Sequence, residues 1–296
     1  EMAPAAATRD VYVDFAGNLI RGEGSSTIGY RASGVPGTLA GFEMAFKKYG
    51  SKKLTWSQLV EPARLLALNG FTLSDRQAGL FKAYKGNLSK YSESNRIFLR
   101  GGKYYEEDEL FRQPDLAATL GRVERNGARE FYSGTTARLI ADDMKAHGGL
   151  ITLKDLNNYK AKEREPISGT YRGYKVISMP PPSSGGIVML EVLNILEGYD
   201  IVSMGYNSAA KYHVLTEAMR RAFADRAEFM GDPDFSTVPV DTLIDKSYAK
   251  KQASTIDPVR ASKSSEIGHG DIPGGESMDT THFTVADALG NVVTNT

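Results

Sequence analysis

The period of the apolar pattern changes along this chain, and that change limits the folds open to it. Helical spacing fills the first half. Thr55-Trp56-Ser57-Gln58 and Ser74-Asp75-Arg76-Gln77 each place a glutamine three residues after a hydroxyl, the arrangement of a capping box. The first opens a segment with Leu59, Ala63 and Leu66 on one face, ending at Asn69-Gly70. Segments near 37–49, 115–126 and 135–147 carry the same period, the last stopped by Gly148-Gly149. Two-residue alternation then enters at 167–179, "ISGTYRGYKVISM", with Gly173 expected at a turn or bulge. After "PPPSSGG" (180–186) a helix is expected up to Gly198. A longer one follows over about 208–230, with Leu215, Met219, Ala222, Phe223, Ala227 and Met230 as its apolar stripe. Residues 254–279 are polar and Gly-rich, the composition of a loop. Alternation returns only at 280–296, where two short runs flank Ala288-Leu289-Gly290-Asn291 and read as a hairpin. Helical layers with strands arriving late point to a mixed α/β (α+β) protein whose main sheet is incomplete here.

Composition removes several function classes. Acidic and basic residues balance at 36 each in 296, so bulk charge gives no argument for nucleic acid, and no nucleic-acid partner is expected. There is no cysteine, hence no disulfide framework, thiolate metal site or thiol nucleophile. No apolar run approaches the roughly 18 residues of a spanning helix. The opening "EMAPAAATRD" and the closing "NVVTNT" both read as cuts in a longer chain.

The junction "MDTTHFTV" (278–285) holds the strongest chemical candidate. In a strand, Thr280, His282 and Thr284 share one face, and Thr281, Phe283 and Val285 share the other. Phe283 and Val285 argue that the second face is packed. Thr280 then stands on the polar face where loop becomes strand. A β-branched residue chosen for strand propensity fits the same pattern. So does a threonine released as a chain terminus, whose own α-amino group, with an ordinary pKa near 8, serves as base for its hydroxyl.

Residues 280–296, "TTHFTVADALGNVVTNT", resemble without a gap the start of the small subunit of γ-glutamyltransferases (γ-glutamyl transpeptidases, glutathione hydrolases). "EMAPAAATRD" (1–10), "GVPGTLAGF" (34–42), "MPPPSSGG" (179–186) and "TEAMRRAFADRAEFMGDPDF" (216–235) extend the resemblance over essentially the whole chain. It implies the N-terminal-nucleophile (Ntn) hydrolase fold, a four-layer αββα sandwich, present as a fragment. Residues 1–279 would be the C-terminal part of the large subunit. Residues 280–296 would be the first hairpin of the small subunit, in one folding unit with it. Thr280 would be the nucleophile and Asp279–Thr280 the bond broken in self-maturation. The donor would be a γ-glutamyl compound such as glutathione, and the acceptor water, an amino acid or a dipeptide. No cofactor or metal is implied, and the implied location is periplasmic or extracellular. The carboxylate-gripping arginine would precede Glu1. The oxyanion-hole glycines and the other substrate-binding residues would follow Thr296, within the remainder of the small subunit. A related acylase (cephalosporin acylase or poly-γ-glutamate processing) and an unprocessed, non-catalytic relative are the alternative readings.

Lesser candidates carry plainer expectations. Thr281 fits a packed strand residue or a support for the new terminus. His282 lies about 7 Å along the strand from Thr280, which disfavours a Ser-His arrangement. His147, His213 and His269 lack metal-ligand spacing. "SSGG" fits a helix start better than an anion-binding nest. Pro36 of "GVPG", which lacks a phosphate-loop lysine, reads as a helix-start residue. Residues 224–234 read as a buried or capped helix end, and "YYEEDELF" (104–111) as a solvated face.

Overall fold

The computed structural model describes residues 2–270, 283–288 and 292–295, and the chain divides into two compact units, Glu1–Lys162 and Glu163–Thr296.

The first unit is helical, with α1 (Thr38–Tyr49), α2 (Trp56–Asn69), α3 (Asp75–Ala83), α4 (Lys85–Leu88), α5 (Ser92–Phe98), α6 (Pro114–Asn126), α7 (Arg129–Ser133), α8 (Thr135–Ala146) and α9 (Leu153–Asn158). One two-residue ladder joins β1 (Phe71–Thr72) to β2 (Leu110–Phe111). Both expected capping boxes form: Thr55 with Gln58 opens α2, and Ser74 with Gln77 opens α3. A third, Thr152 with Asp155, opens α9. Helix α2 packs on α6, where Trp56 Nε1 donates to the Val123 carbonyl at 3.0 Å and Arg64 meets Glu124 at 2.5 Å. Helix α1 begins at Thr38 with Gly37 as its N-cap, so Pro36 precedes the helix instead of opening it. Gly148 follows α8 at φ 70°, a backbone region glycine enters without strain.

The 104–111 run is not a solvated face throughout. Tyr105 and Phe111 are buried with Leu73 and pack against Phe71, Phe81, Ile97 and Phe98, while Glu106, Glu107 and Asp108 stay exposed. Acidic composition hid an aromatic cluster, because the acids ride on a turn, with Asp108 at φ 62°, that brings Phe111 back to Tyr105.

The second unit is built around α10 (Gly185–Leu196), apolar on nearly every face and buried along most of its length. Helices α11 (Ala209–Phe229), α12 (Val240–Leu243) and α13 (Lys246–Ser254) pack on it. So does the hairpin of β3 (Ile167–Tyr171) and β4 (Tyr174–Ser178). Arg172 and Gly173 turn this hairpin, both at positive φ (48° and 87°), as a two-residue primed turn demands. Gly169 and Gly186 allow the close approach of hairpin and helix: a Cβ on Gly169 would lie 2.8 Å from Leu190 Cδ2, and one on Gly186 2.8 Å from Ile167 Cδ1. Ile167, Ile187, Leu190, Phe229, Met230 and Leu243 form one core, and Ile195, Leu196, Val214, Ala218, Ala249 and Ile256 a second.

The late hairpin is present as β5 (Phe283–Ala286) and β6 (Val292–Asn295), antiparallel with Val285 opposite Val293. The sequence reading places Val285 on a packed face, but here it is 61% exposed, and Val293 is 65% exposed. A two-stranded ribbon has two faces to cover, and such a face is buried only when a second layer lies on it.

Candidate functional site

Thr280, Asp279, Thr281 and His282 lie outside the described residues. What the structure does describe is the framework that holds the chain as far as Gly270. That framework starts with α11, whose N-cap Ser208 accepts from the Lys211 amide at 3.1 Å.

Helix α11 spans the expected residues, and Ala222 and Met230 of its expected stripe are buried, but the stripe is not buried throughout. Met219 and Phe223, expected on the apolar stripe, are 43% and 49% exposed. The buried residues are Val214, Glu217, Ala218, Arg221, Ala222, Asp225 and Phe229, so three charged side chains four residues apart sit inside. A buried charge needs partners: Glu217 and Arg221 pair with each other, and Asp225 is met by three neutral hydrogen-bond donors.

Glu217 and Arg221 form the first cluster. Arg221 Nη1 donates to Glu217 Oε2 at 2.7 Å, Nε to Thr255 Oγ1 at 2.7 Å and Nη2 to the Thr255 carbonyl at 2.8 Å. Glu217 also accepts from Arg220 Nη1 and from the Ser262 hydroxyl, both at 2.6 Å, and from the Ser262 amide at 3.2 Å. Burial works to raise the Glu217 carboxyl, but the donors from Ser262, Arg221 and Arg220 outweigh it and hold it down at about 2.

The second cluster centres on Asp225, which is wholly buried. Its Oδ2 accepts from Tyr248 Oη at 2.5 Å and Gln252 Nε2 at 3.0 Å, and its Oδ1 from the Gly270 amide at 2.6 Å. Glu191, 1% exposed on α10, faces the same carboxylate. Burial, reinforced by the hydrogen bond to Asp225 and that group's charge, pushes the Glu191 carboxyl up to about 10. It therefore carries a proton at neutral pH and donates it toward Asp225. The same surroundings push the Tyr248 hydroxyl up, burial first and Asp225 second.

The raised Glu191 carboxyl sets the sign of a pH effect. Below its ordinary value of 4.5 it is protonated folded and unfolded alike. Between 4.5 and about 10 folding takes up a proton, so stability falls as pH rises through that window. The limiting slope is about 1.4 kcal/mol per pH unit. Glu191→Gln, an amide with the shape of the neutral acid, is expected to flatten this slope and to raise the melting midpoint at pH 8 by roughly 5–10 °C. Thermal melts of parent and variant from pH 5 to 9 check it; parallel curves would contradict the protonated state.

Residues 255–270 run back over α11 and are tied to it at intervals. Ser262 binds Glu217, Ser264 Oγ accepts from Arg220 at 3.0 Å, His269 stands edge-on to Phe229, and Gly270 is held by Asp225. A polar cleft of about 540 Å³ opens beneath this segment, with Gln252, Asp257, Arg260 and His269 in its wall.

The remaining candidates settle into structural positions. "SSGG" does start α10: Ser184 holds the N-cap position without a side-chain capping bond, and its hydroxyl accepts from Arg226 Nε at 2.9 Å. His147 stacks on Tyr30, and His213 Nε2 lies 2.7 Å from the Asp257 carbonyl. Among the described residues no three His, Cys, Asp or Glu side chains converge as a metal site. Residues 224–234 do form a buried helix end: after Phe229 closes α11, Asp232 and Asp234 hold Arg164 at 3.4 and 2.8 Å. Periodicity missed the two inner clusters. One signal was present: Glu191 is the single charge in an otherwise apolar helix, where an acid must be neutral or partnered.

The crystal structure of Helicobacter pylori gamma-glutamyltranspeptidase superposes with a TM-score of 0.87 at 48% identity, over 91% of this chain and 76% of that one. The fold class is thus the Ntn-hydrolase class of that neighbour, with the described strands supplying part of it. The glutathione hydrolase proenzyme of Escherichia coli (strain K12) is 46% identical over 294 residues, 99% of this chain and 50% of that protein. The acylase ACY 1 proenzyme of Pseudomonas sp. (strain SE83) is 40% identical over 99% of this chain and 52% of its own. The Gamma-glutamyltranspeptidase family profile matches residues 1–296, and the chain belongs to that family. It spans about half the length of the curated relatives it matches.

Proposed function

We propose that the protein carrying this chain is a self-cleaving γ-glutamyl hydrolase and transferase, with Thr280 as its nucleophile. The observation that carries the reading is the ungapped match of residues 280–296 to the family's small-subunit start, inside a family match over 1–296. Relatives named as proenzymes support the processing step.

In maturation the Thr280 hydroxyl attacks the Asp279 carbonyl carbon. The Asp279–Thr280 C–N bond breaks, and its nitrogen leaves as the Thr280 amine. Water then opens the resulting ester, restoring the hydroxyl and leaving Asp279 with a free carboxylate. In turnover the new amine accepts the hydroxyl proton while Oγ attacks the γ-carbonyl of a glutathione-like donor. The leaving amine takes up that proton, and a γ-glutamyl ester remains on Thr280. Water resolves the ester as hydrolysis, and the amine of an amino acid or dipeptide resolves it as transfer. Both tetrahedral oxyanions need preorganised N–H donors. On this reading residues 1–279 are the C-terminal part of a large subunit, and 280–296 begin a small subunit that folds with it. Thr281 supports the new terminus, and the enzyme works in the periplasm or outside the cell.

The test uses the full-length protein. It should split into two bands on a denaturing gel, the smaller with Thr280 at its N-terminus, and should release the chromophore of a γ-glutamyl anilide. Thr280→Ser keeps a hydroxyl and an amine and should retain part of both activities. A parent that stays a single band on prolonged incubation would support a non-catalytic relative. The likeness to acylase ACY 1 and to the cephalosporin acylase of Bacillus halodurans favours a second reading, an acylase using the same nucleophile on a cephalosporin side-chain amide. A cleaved protein that turns over that amide and ignores the γ-glutamyl anilide would establish it.

A further inference from the structure

We propose that Asp225 is a positioning residue for self-cleavage: clamped by Tyr248 and Gln252, its carboxylate holds the Gly270 amide and fixes the point from which the chain departs toward Asp279–Thr280. The inference rests on the function proposed above and adds to it a group that never touches the scissile bond.

Three observations carry it. Gly270 is held by charge: its N–H donates to a buried carboxylate at 2.6 Å, a contact stronger than an ordinary amide pair. The carboxylate is itself immobilised, because Tyr248 Oη at 2.5 Å and Gln252 Nε2 at 3.0 Å bind its other oxygen. Tyr248 and Gln252 are four residues apart on α13, so two helices fix the clamp. Finally, glycine at 270 makes room for the clamp: a Cβ there would fall on the Tyr248 hydroxyl and displace it. The upstream ties of Ser262 to Glu217 and Ser264 to Arg220 lead the chain to the same point. A nucleophile that must reach the carbonyl of the preceding residue depends on local geometry, and loose positioning by about 1 Å costs on the order of 100-fold in rate.

A residue that merely stabilised the fold would slow cleavage only as far as it lowered stability. A positioning residue slows cleavage in a protein that is still folded. Asp225→Asn places an amide where Tyr248 and Gln252 donate, and Gly270→Ala attacks the same contact from the other side without altering the carboxylate. In the full-length protein each is expected to slow appearance of the two subunits at least 10-fold at temperatures well below its melting midpoint. Because both act through one contact, the double variant should be no slower than the slower single variant, whereas independent effects would multiply. If Asp225→Asn fails to fold, Gly270→Ala alone decides, its melting midpoint measured beside its cleavage rate. Parental cleavage rates in folded Asp225→Asn or Gly270→Ala, or multiplicative effects in the double variant, overturn the assignment and leave the proposed function standing. A parent protein that never cleaves overturns both.

Discussion

Thr280→Ala in the full-length protein is expected to give a single uncleaved band and to abolish γ-glutamyl release together. One substitution removes two reactions because they share an atom and are ordered in time. On the reading proposed above, the hydroxyl is the nucleophile that opens the Asp279–Thr280 bond. Until that bond opens, the Thr280 nitrogen is an amide with no basicity, so the catalytic base does not exist. Removing the nucleophile of an acyl-transfer enzyme costs about 10⁴-fold or more, which puts γ-glutamyl anilide turnover at the assay background. The variant's melting midpoint, measured beside that of the parent precursor, separates loss of the nucleophile from loss of the fold. Thr281→Ala serves as the contrast: a role limited to supporting the terminus predicts slower but continuing cleavage. Turnover by Thr280→Ala, cleaved or uncleaved, would move the nucleophile elsewhere.

The chemistry and the framework were legible in the sequence to different degrees, for physical reasons. Helices α2 and α3 could be read because their capping boxes are local, with donor and acceptor three residues apart. The β3–β4 and β5–β6 hairpins could be read because alternation and turn residues are local too. The extent of α11 was legible and its orientation was not. Ranking residues by hydropathy turns Met219 and Phe223 inward, whereas Glu217, Arg221 and Asp225 are inside. Their partners come from far along the chain: Tyr248, Gln252, Thr255, Ser262 and Gly270 approach through α13 and the segment after it. No window over α11 contains them. Tyr105 and Phe111 failed in the same way, since the cluster that buries them is assembled from α3, α5 and β1. Thr280 is a third case. Its strand pattern fits a structural threonine equally well, and only the family resemblance of residues 280–296 distinguishes the two.

Arg221→Met is expected to destabilise the protein by about 3–5 kcal/mol, the cost of removing one partner of a buried ion pair. That corresponds to a fall in melting midpoint on the order of 10 °C. Arg221 is 4% exposed and spends its guanidinium on Glu217, Thr255 Oγ1 and the Thr255 carbonyl. Without it the Thr255 carbonyl and a buried carboxylate lose their donor, and Arg220 with Ser262 must hold Glu217 alone. Arg221→Lys should recover only part of the loss, because one ammonium cannot reproduce a planar fork reaching two residues. The double variant Glu217→Leu with Arg221→Met should lose less than the two single losses added, since the apolar pair leaves no buried charge unpaired and Arg220 is partly exposed. Acidity provides an independent check. Glu217 is held near 2 against an ordinary 4.5, so its contribution is complete above 4.5 and is lost as pH falls toward 2. The full loss is on the order of 3 kcal/mol. Acid titration of Glu217→Gln should lack that part of the parent's decline. Equal acid sensitivity in the two proteins, or an Arg221→Met midpoint within about 2 °C of the parent, would show the pair to be replaceable.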